Sequence, residues 1–232
     1  MSQRQRPSGR RNRPRRARGA GTTGSANVAT HVQERYTTGA RRLATQSVTG
    51  LARTRVTPNA LTLAGVGLCI LGAVLVWFEY RSELLFFWLG AAFFLVGSIL
   101  DILDGALARA GGKSTPFGGF LDSTFDRLGE AFMLGAIALV FARDGLDWAI
   151  ALAFTSLAGS FLVSYTRAKA EIMGLKGDIG FGGRAERVVV LVAGLVFAPW
   201  GGLPWAIVFL TALTWWTVGQ RIWGVRSQMI RT

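Results

Sequence analysis

The chain has 232 residues, half of them hydrophobic, and a formal net charge of +13 at pH 7. Its apolar residues form long uninterrupted blocks, which argues against an ordinary soluble domain, and a single Cys69 excludes an intramolecular disulfide and a cysteine-rich metal site. High hydrophobicity with basic flanks is typical of membrane proteins. We therefore expect an all-α integral membrane fold in which Cys69 serves in packing.

The first 20 residues contain eight arginines among Ser, Gly, Pro and Gln. This composition predicts a disordered basic arm over residues 1–36 and not a signal peptide, because no apolar core follows the arginines. The arm is either a solvated topology signal or a segment that lies on anionic lipid headgroups. No aromatic residue interleaves the arginines as a stacking platform for bases would require, so we expect no nucleic-acid partner.

Residues 37–57 mix Ala, Leu and Val with arginines, which predicts a juxtamembrane amphipathic helix on the membrane surface. Residues 58–226 are then expected to form a domain of six transmembrane helices, since each apolar block approaches the roughly 20 residues that a helix needs to cross the hydrocarbon core. The predicted spans are 59–79, 84–109, 118–142, 147–171, 185–200 and 203–224. Gly194 and Pro199 weaken the fifth span as a helix.

Basic residues concentrate in the loops after the second and fourth spans and near both termini. By the positive-inside rule, that side of the membrane is cytoplasmic. We therefore expect a multi-pass protein of the cell (plasma) membrane with both termini in the cytoplasm.

Four carboxylates, those of Asp101, Asp104, Asp122 and Asp126, fall near the cytoplasmic end of the second span and the start of the third. An acid inside a membrane helix is costly and normally marks function. The spacings of three and four residues place each pair on one helix face, and an antiparallel helix pair brings both faces together. Because four such charges repel one another, the pattern predicts bound Mg²⁺ or Mn²⁺, two ions of which can clamp a transferring phosphoryl group.

Small residues surround the acids. Gly105 and Ala108 leave one helix face nearly bare and Arg109 adds a cation, so a nucleotide pyrophosphate could approach there. Glycines can also be notches for helix packing, and this is how we interpret Gly90 and Gly97.

Residues 101 to 126 run D-I-L-D-G-A-L-A-R, then eight residues, G, three residues, D, three residues and D. This pattern resembles the signature of the CDP-alcohol phosphotransferases, D-x-x-D-G-x-x-A-R-x8-G-x-x-x-D-x-x-x-D. All eight fixed positions match, at Asp101, Asp104, Gly105, Ala108, Arg109, Gly118, Asp122 and Asp126. The segment Thr57–Thr62 also resembles the opening of the family's first span.

The resemblance implies a homodimer that takes CDP-diacylglycerol as donor and releases CMP. It further implies two metal ions, Mg²⁺ or Mn²⁺, held by the four aspartates, with Asp126 as the catalytic base. The residues expected to hold CDP are Asp101, Asp104, Gly105, Ala108, Arg109, Gly118, Asn59 and Thr62.

The stretch from Ser164 to Arg187 is unusually polar for this chain. It resembles the corresponding part of the actinobacterial phosphatidylinositol phosphate synthases, S-Y-x-[KR]-A-[KR]-A-E-x-x-G-L-[KR]-G-D-x-G-F, although Gly183–Arg187 lacks the leading Glu and the Pro of their E-R-P-E-R. The resemblance implies inositol 1-phosphate as acceptor, and glycerol 3-phosphate is the competing acceptor. An acceptor phosphate needs basic donors, and the candidates are Arg167, Lys169, Arg184 and Arg187. The positive-inside rule alone also explains basic residues here.

Two other classes of protein place acids among membrane helices. A transporter would more often show repeat symmetry and helices interrupted at the bilayer midplane. A prenyl-chain transferase would be expected to carry D-D-x-x-D clusters, which this sequence lacks. Both readings are therefore less favoured than a CDP-alcohol phosphatidyltransferase.

Overall fold

The computed structural model describes residues 57–110 and 115–230, all of which belong to one compact unit. The predicted basic arm and nearly all of the predicted juxtamembrane helix lie outside these residues. Most of the described residues are helical, and they contain six α-helices. These are α1 (Pro58–Trp77), α2 (Glu83–Ala110), α3 (Pro116–Arg143), α4 (Asp147–Ile172), α5 (Arg184–Val196) and α6 (Leu203–Met229).

The starts of two helices follow from local sequence. Thr57 caps α1 because its hydroxyl accepts a hydrogen bond from the Ala60 amide, and Pro58 opens the helix. Thr115 and Pro116 repeat this arrangement at the start of α3, where the Thr115 hydroxyl accepts from Gly118 N at 3.0 Å.

The fifth helix is shorter than its predicted span, as Pro199 led us to expect. Helix α5 has 13 residues, and a separate 3₁₀ turn, Ala198–Trp200, contains the proline. In the described part of the chain, three helical segments have the length and apolar composition to cross a membrane, namely Asn59–Trp77, Glu83–Ala108 and Asp147–Ile172.

Helices α1 and α2 pack closely along a line of glycines. A Cβ atom added at Gly65 would lie 2.9 Å from the carbonyl oxygen of Gly97, and one at Gly72 would lie 2.8 Å from that of Gly90. The interpretation of Gly90 and Gly97 as packing notches is therefore confirmed. Cys69 is buried on this surface, so its predicted role in packing is confirmed as well.

The end of the helix pack that is remote from the aspartates is fastened by Arg143. Its guanidinium pairs with the buried Glu79 carboxylate and donates to the Trp77 carbonyl at 3.1 Å. The guanidinium carbon also lies 4.8 Å from the centroid of the Tyr80 ring. The turn after α1 is thereby joined to the end of α3.

Candidate active site

The aspartates meet where the end of α2 lies beside the first half of α3. Asp101 and Asp104 are buried, and Asp122 and Asp126 are half-buried. One carboxylate oxygen from each of Asp101, Asp122 and Asp126 lies within 4.8 Å of the others. The predicted convergence of the two helix faces is therefore observed for these three aspartates.

Asp104 lies one turn after Asp101 on α2 and is held by α1. The buried Thr62 hydroxyl donates a hydrogen bond to Asp104 Oδ2. The binding of CDP by Thr62 stays a prediction, and the partner observed for its hydroxyl is one of the acids.

This cluster fits a divalent metal. Its ligand atoms are hard carboxylate oxygens, which Mg²⁺ and Mn²⁺ prefer. The Asp126 Oδ1 atom is buried, and Arg184 Nη1 lies 2.5 Å from it. Three carboxylates that converge at a partly buried site repel one another, so a bound cation would stabilise the cluster.

Arg184, the first residue of α5, supplies a positive charge at the cluster. Its guanidinium forms ion pairs with both Asp101 and Asp126, which belong to different helices. Arg184 therefore links the end of α2 to α3 through the acid cluster.

The residues predicted to hold CDP surround the same end of α1, α2 and α3. Asn59 lies in the first turn of α1, and its Oδ1 atom would be 3.7 Å from a Cβ atom added at Gly118. Gly105 and Ala108 are half-buried on α2. The side chain of Arg109 lies outside the described residues.

A basic cavity of about 130 Å³ adjoins Asp126. Its lining combines acids, arginines and small residues from α3 to α6 and consists of Asp126, Arg127, Glu130, Val163, Ser164, Arg167, Gly183, Arg184, Arg187 and Arg221. Three of the four predicted phosphate ligands, Arg167, Arg184 and Arg187, thus line one cavity. Lys169 is exposed and does not belong to the lining.

The connection between α4 and α5 forms part of this wall because glycines allow it to approach α6. Gly180 and Gly182 have φ angles of 107° and 111°, which favour glycine. A Cβ atom at Gly180 would also lie 2.9 Å from Gln220 Oε1. The Gln220 side chain accepts a hydrogen bond from Phe181 N at 3.1 Å.

Among the cavity residues that sequence reasoning missed are two buried charged residues, Glu130 and Arg221. Arg221 is buried and donates to the carbonyl oxygens of Ile179 and Val163, whereas the sequence indicated only a basic flank. Glu130 lies one turn after Asp126 and pairs with Arg187. Its position inside an apolar helix was an available signal, since buried acids in such helices need partners.

Comparison with known proteins gives consistent matches. The family model for CDP-alcohol phosphatidyltransferases matches residues 55–223. An archaetidylinositol phosphate synthase of Pyrococcus horikoshii is 36% identical over 182 residues, covering 77% of this chain and 88% of the relative. A phosphatidylinositol phosphate synthase of Mycolicibacterium smegmatis is 36% identical over 183 residues, covering 75% and 80%.

Solved structures match as well. The phosphatidylinositol phosphate synthase of Mycobacterium tuberculosis with CDP-DAG bound has a TM-score of 0.69 and 28% identity, covering 79% of this chain and 94% of that one. The same enzyme in complex with manganese and citrate has a TM-score of 0.68, covering 78% and 88%. The chain therefore belongs to the CDP-alcohol phosphatidyltransferase family and is a metal-dependent phospholipid-synthesising transferase.

Proposed function

We propose that this enzyme transfers the phosphatidyl group of CDP-diacylglycerol to inositol 1-phosphate and releases CMP. The observation that carries the proposal is the basic cavity beside Asp126, because an acceptor that already bears a phosphate needs several guanidinium donors. Relatives named for inositol phosphate products support the same acceptor. Glycerol 3-phosphate is the second candidate, since it offers the same phosphate and a free hydroxyl.

The donor is expected at the junction of α1, α2 and α3. Gly105, Ala108 and Gly118 have little or no side-chain bulk at the ends of these helices, which would give a pyrophosphate access to the acids, and Asn59 lies beside Gly118. Arg109 belongs to the same proposed set. When bound, two Mg²⁺ or Mn²⁺ ions at Asp101, Asp104, Asp122 and Asp126 would neutralise phosphate charge and stabilise the departing CMP.

The acceptor is expected on the other side of Asp126. Arg167, Arg184 and Arg187 would hold its phosphate, with Lys169 at the exposed approach and Arg221 as an additional cation of the wall. In this arrangement the acceptor hydroxyl would face the donor across Asp126.

Asp126 lines the acceptor cavity and belongs to the acid cluster, which suits a base that serves both substrates. The acceptor oxygen would attack the β-phosphorus of CDP-diacylglycerol in line and give its proton to Asp126. The new phosphorus–oxygen bond would form as the bond from that phosphorus to the oxygen of the leaving CMP breaks.

The number of membrane spans is proposed to exceed the three apolar helices. We propose six spans. Helices α3 and α6 have 28 and 27 residues and rise about 40 Å at 1.5 Å per residue, and α5 with the 3₁₀ turn that follows it, Ala198–Trp200, would form the sixth. Both termini and the active site would face the cytoplasm of the plasma membrane. We also propose a homodimer, to be tested by the mass of the purified protein in detergent.

The experiment compares three acceptors with purified enzyme, CDP-diacylglycerol and Mg²⁺. Inositol 1-phosphate should support CMP release, and free inositol should not. Arg167→Ala and Arg184→Ala should raise the acceptor KM about 10- to 150-fold, from the roughly 1.5–3 kcal/mol of a charge-assisted hydrogen bond. Equal use of free inositol would refute the phosphate site, and use of glycerol 3-phosphate alone would refute the inositol assignment.

A further inference from the structure

One buried ion pair near the cavity is not explained by the metal cluster. Arg187 and Glu130 are only 4% and 8% exposed. They form two parallel hydrogen bonds, from Arg187 Nε to Glu130 Oε1 at 2.8 Å and from Nη2 to Oε2 at 3.0 Å. Burying two charges in this way is not in itself a source of stability, because their desolvation offsets the attraction between them.

The pair has two further attachments. The Ser160 hydroxyl of α4 donates to Glu130 Oε1 at 2.9 Å, and Arg187 Nη1 donates to the Gly182 carbonyl at 3.4 Å. Helices α3, α4 and α5 therefore meet at this carboxylate. A guanidinium held by two hydrogen bonds to one carboxylate has its plane fixed.

The Arg187 guanidinium keeps N–H donors that a ligand could use. A guanidinium has five N–H groups. Glu130 accepts two of them and Gly182 accepts one, so two N–H groups of Arg187 remain beyond these contacts. Since Arg187 lines the basic cavity, these groups suit an anion inside it.

We infer that Glu130 is a positioning residue, which acts through Arg187 to orient donors toward the phosphate of the acceptor. Glu130 lies one helical turn beyond Asp126 on α3, so the same helix carries the base and the residue that orients the acceptor site. The inference rests on the proposed acceptor site and assigns Glu130 no contact with the transferred group.

The test measures KM for both substrates and kcat in the purified full chain. Glu130→Gln keeps the side-chain size but replaces one acceptor oxygen with an NH₂ group that opposes Arg187 Nη2. It should raise the KM for inositol 1-phosphate about tenfold or more, as expected for one charge-assisted hydrogen bond, while the KM for CDP-diacylglycerol stays nearly unchanged. Glu130→Asp, which retains the charge, should recover part of the loss.

Two variants separate positioning from simple destabilisation. Glu79→Gln weakens the pair between the buried Glu79 and the partly exposed Arg143, at the opposite end of the helices, and should lower thermal stability without changing either KM. Ser160→Ala removes only one hydrogen bond to Glu130 and should raise the acceptor KM severalfold in a protein that still folds. In a protein that already carries Arg187→Gln, Glu130→Gln should raise the acceptor KM little further.

The inference is overturned if Glu130→Gln and Ser160→Ala change both KM values equally, or if their effects persist undiminished in Arg187→Gln. A wrong assignment of inositol 1-phosphate as the acceptor would be recognised separately. In that case the unmutated enzyme would use another alcohol, and the same comparison of KM values with that alcohol would still test Glu130.

Discussion

Replacing Arg184 tests how the acid cluster is neutralised, because this guanidinium pairs with Asp101 and Asp126. Arg184→Ala leaves two carboxylates without their cation, and loss of one partner from a buried pair costs about 3–5 kcal/mol. The Arg184 side chain is 27% exposed, so we take the lower end, about 3 kcal/mol. At about 2–4 °C per kcal/mol for a chain of this size, the apparent Tm should fall by roughly 6–12 °C in chelator.

Divalent metal should reduce this loss, since an ion on the same carboxylates replaces the missing charge. The assay is tryptophan fluorescence during heating in detergent at one scan rate, with EDTA and with saturating Mg²⁺ or Mn²⁺. Arg143→Ala, which breaks the remote pair with Glu79, is the control and should lower Tm equally in both conditions. An equal loss for Arg184→Ala with and without metal would refute the proposed exchange of cations.

Three other predictions address catalysis, the arm and packing. Asp101→Asn or Asp104→Asn should abolish CMP release, as should EDTA with the unmutated enzyme; full turnover in chelator contradicts the metal site. Deleting residues 1–30 should leave activity in detergent nearly intact, and loss of activity in a folded truncation would assign the arm a catalytic role. Gly97→Leu should lower stability by about 1–3 kcal/mol through overpacking. Gly67→Leu should leave stability unchanged, because an added Cβ there meets no atom within 4 Å. Equal Tm values for the two variants would contradict the role of Gly97 in the contact between α1 and α2.

Much of the helical framework was predictable because apolar length and proline positions determine where membrane helices begin and end. The predicted fourth span, 147–171, differs from α4 by one residue at its end. The convergence of Asp101 with Asp122 and Asp126 also followed from helix spacing. These features depend on residues that are close in sequence.

The partners of the arginines were not predictable in the same way. Arg184 pairs with Asp101 across 83 positions, and Arg187 pairs with Glu130 across 57. A basic residue at a cytoplasmic helix end satisfies the positive-inside rule whether it faces water, a ligand or an acid. Only the packing of α5 against the earlier helices distinguishes these cases.

The connection between α4 and α5 is fastened to α6 at several points. Gln228 accepts from Lys176 N and donates to Lys176 O, and Arg221 donates to Ile179 O. Because side chains of α6 hold the backbone of this segment, we expect it to be a fixed wall of the cavity and not a hinged lid. Acceptor exchange should therefore proceed through the existing mouth of the cavity, so that its rate follows diffusion and charge and no loop-opening step limits turnover.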